Sequence, residues 1–360
     1  MTSQTTVVVG MSGGVDSSVV AYLLKERGYK VIGMFMKNWE EISGDGSCTA
    51  TRDYEDVQAV CQHIGIPYYT VNFVKEYQES VFTDFLEDLK KGYTPNPDIL
   101  CNREIKFKRF FDKAMELGAD YLATGHYCRI VHSDGKPQLA RGLDPKKDQS
   151  YFLSAINGAV LNRVLFPIGD LEKSEVRQIA LKAGLATAKK RDSTGICFIG
   201  KRDFATFLHG YLPYQKGPLM RLSGEVVGQH PGAAYFTLGQ RKGLGIGGEG
   251  DAWFVVDKDI ARNIVYVEQG DDHPALYKKT LSAVNPSWIA GEPPQLPLHC
   301  TAKIRYRQED VACTVTSEGD SLCVTFETPQ RGVTPGQAVV FYSGEICLGG
   351  AFISKEMATA

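Results

Sequence analysis

The first part of the chain alternates between short apolar runs and longer segments in which apolar residues recur every three or four positions. Residues 7–9 and 30–36 have the β-branched and apolar character of buried strands, and residues 68–73 predict a third strand. Val19 and Leu23 share one face of the helix predicted between the first two strands. This alternation predicts an α/β fold with a doubly wound, mostly parallel sheet, which binds ligands beyond the carboxyl ends of its strands.

The pattern changes near residue 200, where helical spacing gives way to short strands separated by turn residues. We therefore expect three domains along the chain. They are an α/β domain over residues 1–200, a small β-rich central domain over 201–278 and a C-terminal β-barrel over 279–360.

Composition narrows the class of protein. The 360 residues carry a net charge of −2, so we expect any nucleic-acid surface to be a local patch. No apolar run approaches the roughly 20 residues of a membrane helix and no secretory signal is visible, which favours the cytoplasm. None of the nine cysteines has C-x-x-C spacing, so we expect no metal site and no disulfide framework. Most of the thiols are expected to be buried and unreactive.

A Gly-rich turn links the first strand to the first helix. Gly13 and Gly14 let the backbone approach a ligand closely. Asp16 and Ser17 stand at the helix start, where free N–H groups and the helix dipole favour anions. No Lys followed by Ser or Thr comes after the glycines, so the turn is not a Walker A loop. The turn predicts a phosphate site, and a tight turn without a ligand is the alternative.

Two cysteines have surroundings that predict reactive thiols. Cys101 follows a loop shaped by two prolines and precedes a helix predicted to begin near Ile105. Cys197 follows three consecutive cations at residues 189–191. Positive charge and helix N-termini lower the pKa of a thiol and increase its thiolate fraction.

Further candidates lie where predicted strands end. Met36, after the second strand, is placed to pack on an adenine base. Gly125 permits close approach of a ligand, and His126 is placed to bond to a substrate. Lys146 and Lys147 lie in a short polar loop that meets either solvent or the phosphates of a polyanion.

Residues 12–17 have the SGGxDS sequence of the PP-loop, so the chain resembles the ATP pyrophosphatase superfamily. Over essentially its whole length it closely resembles the bacterial tRNA-specific 2-thiouridylases, the MnmA/TrmU family. The motifs that carry the resemblance are Gly10-Met11-Ser12-Gly13-Gly14-Val15-Asp16-Ser17, Asn96-Pro97-Asp98 with Cys101-Asn102, Ala123-Thr124-Gly125-His126-Tyr127, Lys147-Asp148-Gln149-Ser150-Tyr151, Asp192-Ser193-Thr194-Gly195-Ile196-Cys197-Phe198-Ile199-Gly200, Gly239-Gln240-Arg241-Lys242-Gly243-Leu244-Gly245 and Lys303-Ile304-Arg305-Tyr306-Arg307. The PP-loop alone marks a superfamily, whereas the two cysteine motifs in this order, followed by a β-rich part, are far more specific.

The resemblance implies ATP-dependent 2-thiolation of the wobble uridine, position 34, of the tRNAs for Lys, Glu and Gln. The C2 oxygen would be adenylated and then displaced by sulfur from a cysteine persulfide. ATP with Mg²⁺ is the implied cofactor, and a sulfur-relay protein or a cysteine desulfurase is the implied donor.

The resemblance also assigns residues to these tasks. Cys197 would carry the persulfide, Cys101 would be the nucleophile that pairs with it in a transient disulfide, and Asp98 would assist as a base or a hydrogen-bond partner. The implied ATP-binding residues are Gly10, Met11, Ser12, Gly13, Gly14, Val15, Asp16, Ser17, Met36 and Gly125. The implied tRNA-binding residues are Asn96, Pro97 and Asp98 at the target uridine, with His126, Lys147, Asp148, Gln149, Arg305, Tyr306 and Gln337.

Two other functions remain as alternatives. Another PP-loop enzyme, such as an amidating synthetase, would need the loop but neither cysteine. A non-catalytic nucleotide-binding or RNA-binding protein would release no pyrophosphate.

Overall fold

The computed structural model describes residues 4–39, 49–192, 204–212 and 214–355, so Cys48 and Cys197 lie outside the described residues. Up to residue 192 the strands and helices are β1 Thr6–Met11, α1 Val15–Glu26, β2 Lys30–Lys37, α2 Thr49–Ile64, β3 Tyr68–Asn72, α3 Val74–Tyr77, α4 Thr83–Lys90, α5 Pro97–Leu100, α6 Phe111–Glu116, β4 Tyr121–Ala123, β5 Cys128–Ser133, β6 Lys136–Arg141, β7 Val164–Leu165 and α7 Lys173–Lys182. They continue with α8 Phe204–Leu208, β8 Gly217–Met220, β9 Val226–His230, β10 Trp253–Asp259, β11 Ile264–Gln269, β12 Tyr277–Trp288, β13 Leu298–Lys303, β14 Val311–Glu318, β15 Ser321–Arg331, β16 Ala338–Ser343 and β17 Ile346–Ile353. Wider π-helical turns, Gln78–Phe82 and Cys101–Phe110, join α3 to α4 and α5 to α6. Short 3₁₀ turns lie at Ser150–Leu153, Gly158–Arg163, Ala233–Tyr235 and Pro274–Leu276.

The first domain is built on a parallel sheet with the strand order β3-β2-β1-β4-β7. All its pairings are parallel, which confirms the predicted doubly wound α/β fold. Val8 packs on one face of the sheet with Phe110 and Ala114. Val7 and Val9 pack on the other face, in the cluster that contains residues of α1 and α7. Successive strand residues point to opposite faces, so an unbroken Val run suits a strand that is covered on both sides.

The central β-rich region is a sheet in the order β10-β11-β8-β9. β11 and β8 run parallel, and the other neighbours are antiparallel. Its buried residues Leu219, Val255 and Val265 belong to the same apolar cluster as Phe85 of α4 and Phe207 of α8. The central sheet is therefore packed directly against the helices of the first domain.

The last six strands form the predicted β-barrel, because β12 pairs with β15 and also with β17 and closes the sheet. The sequence also predicts a hairpin near residues 127–141, and β5 and β6 confirm it. This hairpin extends the sheet of the barrel, since Ala140 of β6 pairs with Ile346 of β17. The first domain thus contributes two strands to the barrel sheet, which the hydrophobic pattern does not reveal.

Candidate active site

The turn between β1 and α1 requires glycine at its centre. Gly13 has a φ of +71°, and a Cβ there would lie 2.5 Å from the backbone oxygen of Asp53. Gly14 then precedes Val15, the first residue of α1, and no side chain caps the helix. The turn therefore presents bare backbone at a helix N-terminus, which is the geometry that a phosphate chain needs.

Serine hydroxyls hold this turn in shape. Ser17 Oγ accepts a hydrogen bond from the Ser12 N–H at 3.2 Å and donates to the Gly14 carbonyl at 3.1 Å. Gly10 and Met11 are the last two residues of β1, beneath the turn, and Met11 is buried. The predicted ATP-binding residues from Gly10 to Ser17 thus form one contiguous unit.

Gly125, from the loop after β4, lies directly against the turn. A Cβ at Gly125 would lie 3.0 Å from the Ser17 backbone nitrogen and 3.1 Å from Asp16 Cβ. Met36 is half-buried near the end of β2, the strand beside β1. The structure therefore brings the predicted ATP-binding residues to one edge of the sheet, beyond the carboxyl ends of its strands.

A lysine from far along the chain pairs with the turn. Lys173, the first residue of α7, has its Nζ 2.6 Å from Asp16 Oδ1 and 2.9 Å from Asp192 Oδ1. Lys147 and Arg177 also bind the Asp192 carboxylate, at 2.6 and 2.7 Å. Burial works to raise the pKa of Asp192, but the hydrogen bonds from Lys147 and Lys173 prevail and lower it to about 2. The motif residue Asp192 is therefore a fixed anion beside the turn.

A second lysine binds the turn itself. Lys190 Nζ donates to the Gly13 carbonyl at 2.9 Å and to Asp53 Oδ1 at 2.7 Å, and it also binds Asp56. Burial works against its charge, but the two carboxylates prevail and raise the pKa of Lys190. The sequence pattern placed neither lysine at the turn, although Lys190 belongs to the cationic run before Cys197, because 157 positions separate Asp16 from Lys173 and 177 separate Gly13 from Lys190. The loop was recognised from residues that are neighbours in the sequence, whereas these two lysines lie far from it along the chain.

The segment that leads to the first reactive-cysteine motif is helical rather than a loop. Asn96 Oδ1 accepts a hydrogen bond from the Asp98 N–H at 3.2 Å, and Pro97 occupies the first helical position. The helix continues through Cys101–Phe110 into α6. The prediction of a helix that begins near Ile105 is therefore wrong, because an Asn cap followed by Pro starts a helix instead of interrupting one.

Cys101 follows α5 directly and is 2% exposed. It belongs to an apolar cluster with Leu100 and Ile105 of its own helix and with Phe207 and Leu208 of α8. The sequence predicted a thiol among cations at a helix N-terminus, but the structure surrounds it with apolar side chains one turn further along the helix.

Two titratable groups concern the proposed chemistry here: Asp98 lies within α5, and His126 lies in the loop after β4. Asp98 is half-buried, and burial raises the pKa of its carboxyl group while the charge of Lys106 lowers it. His126 is buried, and burial together with Lys106 holds its pKa well below 6.5. His126 Nδ1 lies 2.8 Å from Thr124 Oγ1. The imidazole is thus neutral at physiological pH and lies inside the protein, where it offers RNA little surface.

Two side chains of the loop at residues 147–149 form hydrogen bonds inside the protein. Asp148 is 6% exposed, and its carboxylate accepts hydrogen bonds from the Gly142 and Ser150 N–H groups, each at 3.1 Å. Gln149 Oε1 accepts one from the Tyr127 N–H at 3.0 Å. Asp148 therefore shapes the loop from inside and does not present its carboxylate to RNA, in contrast to the expectation from the sequence.

Arg305 and Tyr306 lie where the barrel meets the other domains. Arg305 Nη2 donates to the carbonyl oxygens of Leu238, at 2.7 Å, and Gly332, at 3.0 Å. Tyr306 OH donates to the Lys147 carbonyl at 3.4 Å, and burial raises the pKa of Tyr306 to about 12. Arg305 therefore connects the barrel to the central domain, and Tyr306 connects it to the first domain.

Gln337 connects the barrel to the segment before Asn96. Its Nε2 donates to the Thr94 carbonyl at 2.6 Å, and the Thr94 N–H donates to the Pro335 carbonyl at 2.8 Å. These two hydrogen bonds fix the approach to the Asn96-capped helix from the barrel side.

Two kinds of feature are absent from the described part of the chain. No group of three or more His, Cys, Asp or Glu residues there is arranged to hold a metal ion. No helix there is long and apolar enough to cross a membrane.

Three family models match the chain in succession. The tRNA methyl transferase HUP domain matches residues 5–201, and the tRNA methyl transferase PRC-barrel domain matches residues 205–269. The aminomethyltransferase beta-barrel domain matches residues 278–353. The first match spans the parallel sheet together with the β5–β6 hairpin, the second spans the central sheet, and the third covers the barrel strands from residue 278 onward.

Curated proteins of high similarity share one name, tRNA-specific 2-thiouridylase MnmA. The protein from Protochlamydia amoebophila is 60% identical over 99% of this chain and 95% of its own length. The proteins from Halalkalibacterium halodurans and Staphylococcus aureus are each 60% identical over 97% and 96% of this chain and over 95% and 94% of their own lengths. Among solved structures, the U34-tRNA thiolase NcsA from Methanococcus maripaludis is 20% identical, with a TM-score of 0.36 over 54% of this chain and 62% of its own. That likeness is too distant to carry an argument.

Proposed function

This chain belongs to the family of tRNA-specific 2-thiouridylases, and from that premise we propose that it replaces the C2 oxygen of the wobble uridine of tRNA by sulfur at the expense of ATP. One observation carries the proposal. A phosphate-binding turn, a half-buried carboxyl group and a cysteine on an Asn-capped helix occur together in a chain that is 60% identical to named thiouridylases. The tRNAs for Lys, Glu and Gln are the proposed substrates, and the cytoplasm is the proposed location.

The residues around the turn fit a triphosphate. The turn presents bare backbone at the N-terminus of α1, and the Lys173 and Lys190 ammonium groups, each shared with two carboxylates, lie at its border. Bound there, ATP would turn the C2 oxygen of the uridine into a leaving group. The residues proposed to hold it are Gly10 to Ser17 and Gly125, with Met36 against the base; Mg²⁺ is the proposed counterion of its phosphates.

Asn96, Pro97 and Asp98 are proposed to hold the target uridine, which is unpaired in the anticodon loop and free to leave the stack. Burial gives Asp98 a raised pKa, so its carboxylate is a stronger base than a carboxylate in water. Asp98 is the proposed acceptor of the N3 proton, and the charge that this step leaves on the ring increases the nucleophilicity of the C2 oxygen.

Cys101 and Cys197 are proposed to deliver the sulfur. The terminal sulfur of a Cys197 persulfide bonds to C2 as AMP leaves. The Cys101 thiolate then attacks the inner sulfur, which breaks the S–S bond, forms a Cys101–Cys197 disulfide and leaves the terminal sulfur on C2. A cysteine desulfurase or a sulfur-relay protein is the proposed source of the persulfide, and an external thiol would reduce the disulfide.

The half-exposed side chains of Lys147 and Gln149, with Arg305, Tyr306 and Gln337 of the barrel, are the proposed tRNA contacts. They lie at junctions between the domains, where an anticodon stem-loop would touch more than one domain at once. Their basic groups would set the register on phosphates rather than read sequence.

The direct test is mass spectrometry of nucleosides from unmodified tRNA incubated with the protein, ATP and sulfide. We expect ATP-dependent 2-thiouridine at position 34 and at no other position. With a persulfide donor, Cys101→Ser and Cys197→Ser should abolish the product, while Cys323→Ser, at a half-exposed barrel cysteine, should leave it unchanged. If both serine variants kept full product formation, the cysteine-persulfide mechanism would be wrong. A wild-type protein that releases pyrophosphate but forms no 2-thiouridine would favour an amidating PP-loop enzyme.

A further inference from the structure

Lys106 differs from its neighbours on the helix that carries Cys101. Arg103 and Lys108 both pair with Glu104, at 2.8 Å. Lys106 is half-buried, and within the described ranges no carboxylate or carbonyl oxygen accepts a hydrogen bond from its ammonium. Its ammonium is therefore available to interact with a charge elsewhere in the site.

The helix geometry places Lys106 on the same face as Asp98. Asp98, Asn102 and Lys106 recur at intervals of four residues, which stacks them along one side of the helix. The π-helical turns Cys101–Phe110 widen the helix here, and Phe107 leaves the helical region with φ −97° and ψ 19°. Such π-helical turns are frequent at functional sites.

Asn102 leaves one hydrogen-bond acceptor on this face of the helix without a partner in the described structure. The residue is 2% exposed, and its Nδ2 donates to the Phe152 carbonyl at 3.1 Å. Its Oδ1 has no hydrogen-bond partner in the described structure. Buried polar atoms are nearly always paired, so an orphaned acceptor next to an unpaired cation indicates a place where a ligand supplies the missing groups.

The charge of Lys106 acts on two titratable groups from different elements. Burial raises the pKa of Asp98, and Lys106 is the charged group that lowers it. His126 reaches this region from the loop after β4, and burial and Lys106 together keep it neutral. After burial, Lys106 is therefore the charged group that acts on both Asp98 and His126 among the described residues.

We propose that Lys106 is a positioning residue of the uridine site, whose ammonium faces Asp98 and balances the negative charge of the proton-transfer step. The inference rests on the proposed function. When Asp98 takes the N3 proton of the uracil, the N3–H bond breaks, an O–H bond forms on the carboxyl group, and the electron pair stays on the ring. The negative charge thus moves from Asp98 to the uracil oxygens, and an ammonium fixed nearby stabilises it in both places.

The test compares the pH dependence of 2-thiouridine formation in the full-length wild-type protein, Lys106→Met, Lys106→Arg and Lys108→Met. Loss of the cation raises the pKa of Asp98, so Lys106→Met should move the acidic limb of the kcat profile to higher pH by about one unit. Its KM for ATP should stay unchanged. Lys106→Arg should restore the limb, and Lys108→Met, two residues along the same helix and exposed, should match the wild type.

A folded Lys106→Met or Lys106→Gln variant with an unshifted acidic limb would overturn the inference. The Gln variant is included because its polar end also removes the charge and provides the test if Met at this position disturbs folding. A wild-type protein that forms no 2-thiouridine would instead refute the proposed function, so the two failures are distinguishable.

Discussion

Lys173 Nζ lies 2.6 Å from Asp16 Oδ1 and 2.9 Å from Asp192 Oδ1, so a single ammonium joins the PP-loop to the segment that leads into the Cys197 motif. Its side chain is only 12% exposed, whereas the two carboxylates are about one-third exposed. Water therefore screens this interaction incompletely, and the lysine is surrounded mainly by its partners.

Lys173→Met should raise KM for ATP and reduce kcat/KM about tenfold or more, because two partly buried carboxylates lose their shared cation next to a triphosphate. Pyrophosphate release measured against ATP concentration tests this. Lys182→Met, at the exposed C-terminal end of α7, is the matched control and should behave as the wild type. Unchanged ATP dependence in Lys173→Met would contradict the role given to the lysine.

Lys258 makes the stability of the central sheet increase with pH in the alkaline range. Its side chain is 7% exposed, Nζ donates to the Phe236 carbonyl at 2.8 Å, and burial lowers the pKa of Lys258 to about 8. The unfolded chain keeps this proton to a higher pH than the folded one, so stability rises between about pH 8 and the ordinary lysine pKa near 10.5. Below pH 8 the full penalty of burying the charge is present.

Lys258→Met should therefore raise the unfolding free energy at pH 7 by roughly 1–3 kcal/mol, with the gain fading as the pH approaches 10. Thermal and urea unfolding of both proteins across this pH range would measure it. A gain that stays constant with pH, or a loss at pH 7, would show that the Phe236 hydrogen bond outweighs the desolvation of the charge.

Gly336 of the barrel packs tightly against the segment before Asn96. It has a φ of +88°, and a Cβ there would lie 2.8 Å from Tyr93 Cβ and 2.9 Å from the Thr94 nitrogen. Gly336→Ala should displace that segment and reduce kcat/KM for tRNA more than the affinity for ATP.

Gly344→Ala is the matched control for this substitution. Gly344 has a φ of +56°, and a Cβ there would meet nothing within 4 Å, so the variant should lose only about 1–2 kcal/mol through backbone strain. Equal losses of activity in the two variants would mean that the contact with Tyr93 and Thr94 does not position the helix.

Cys300 should be alkylated faster than the buried thiols of Cys61 and Cys347. Cys300 Sγ lies 3.7 Å from Cys313 Sγ, and a hydrogen bond from Cys313 lowers the pKa of Cys300. Burial raises the pKa of Cys61 to about 11 and that of Cys347 to about 12. The expectation that most of the thiols are buried and unreactive therefore does not extend to Cys300.

Peptide mass spectrometry during a time course with iodoacetamide at mildly alkaline pH checks this order. Cys313→Ala should slow labelling of Cys300, because it removes the donor that stabilises the thiolate. Labelling of Cys61 before Cys300 would refute the argument.

The sequence predicted those features that local chemistry determines. The Val7–Val9 run, the glycines of the turn and the short strands of the barrel are each specified by neighbours in sequence, and the structure confirms the fold built from them. The start of the helix at Pro97 was missed because proline was interpreted as a breaker, although Asn96 before it provides the cap.

Features that depend on distant residues could not be predicted. Lys173 and Lys190 reach the turn from the far end of the domain, and Asp148 is turned inward by Gly142 and Ser150. Hydrophobic periodicity reports which side of an element is buried but not which element covers it, so a polar residue's partner appears only in the folded structure.

The β5–β6 hairpin has a consequence for how the protein is made. A ribosome releases this hairpin early, yet Arg141 at its end binds the Gly344 carbonyl, 203 residues further on, and its neighbour β17 is the last strand of the described chain. The N-terminal domain therefore keeps an unpaired strand edge until β17 has been synthesised. The nascent chain must keep that edge from pairing with other strands, whereas in the folded enzyme β17 covers it.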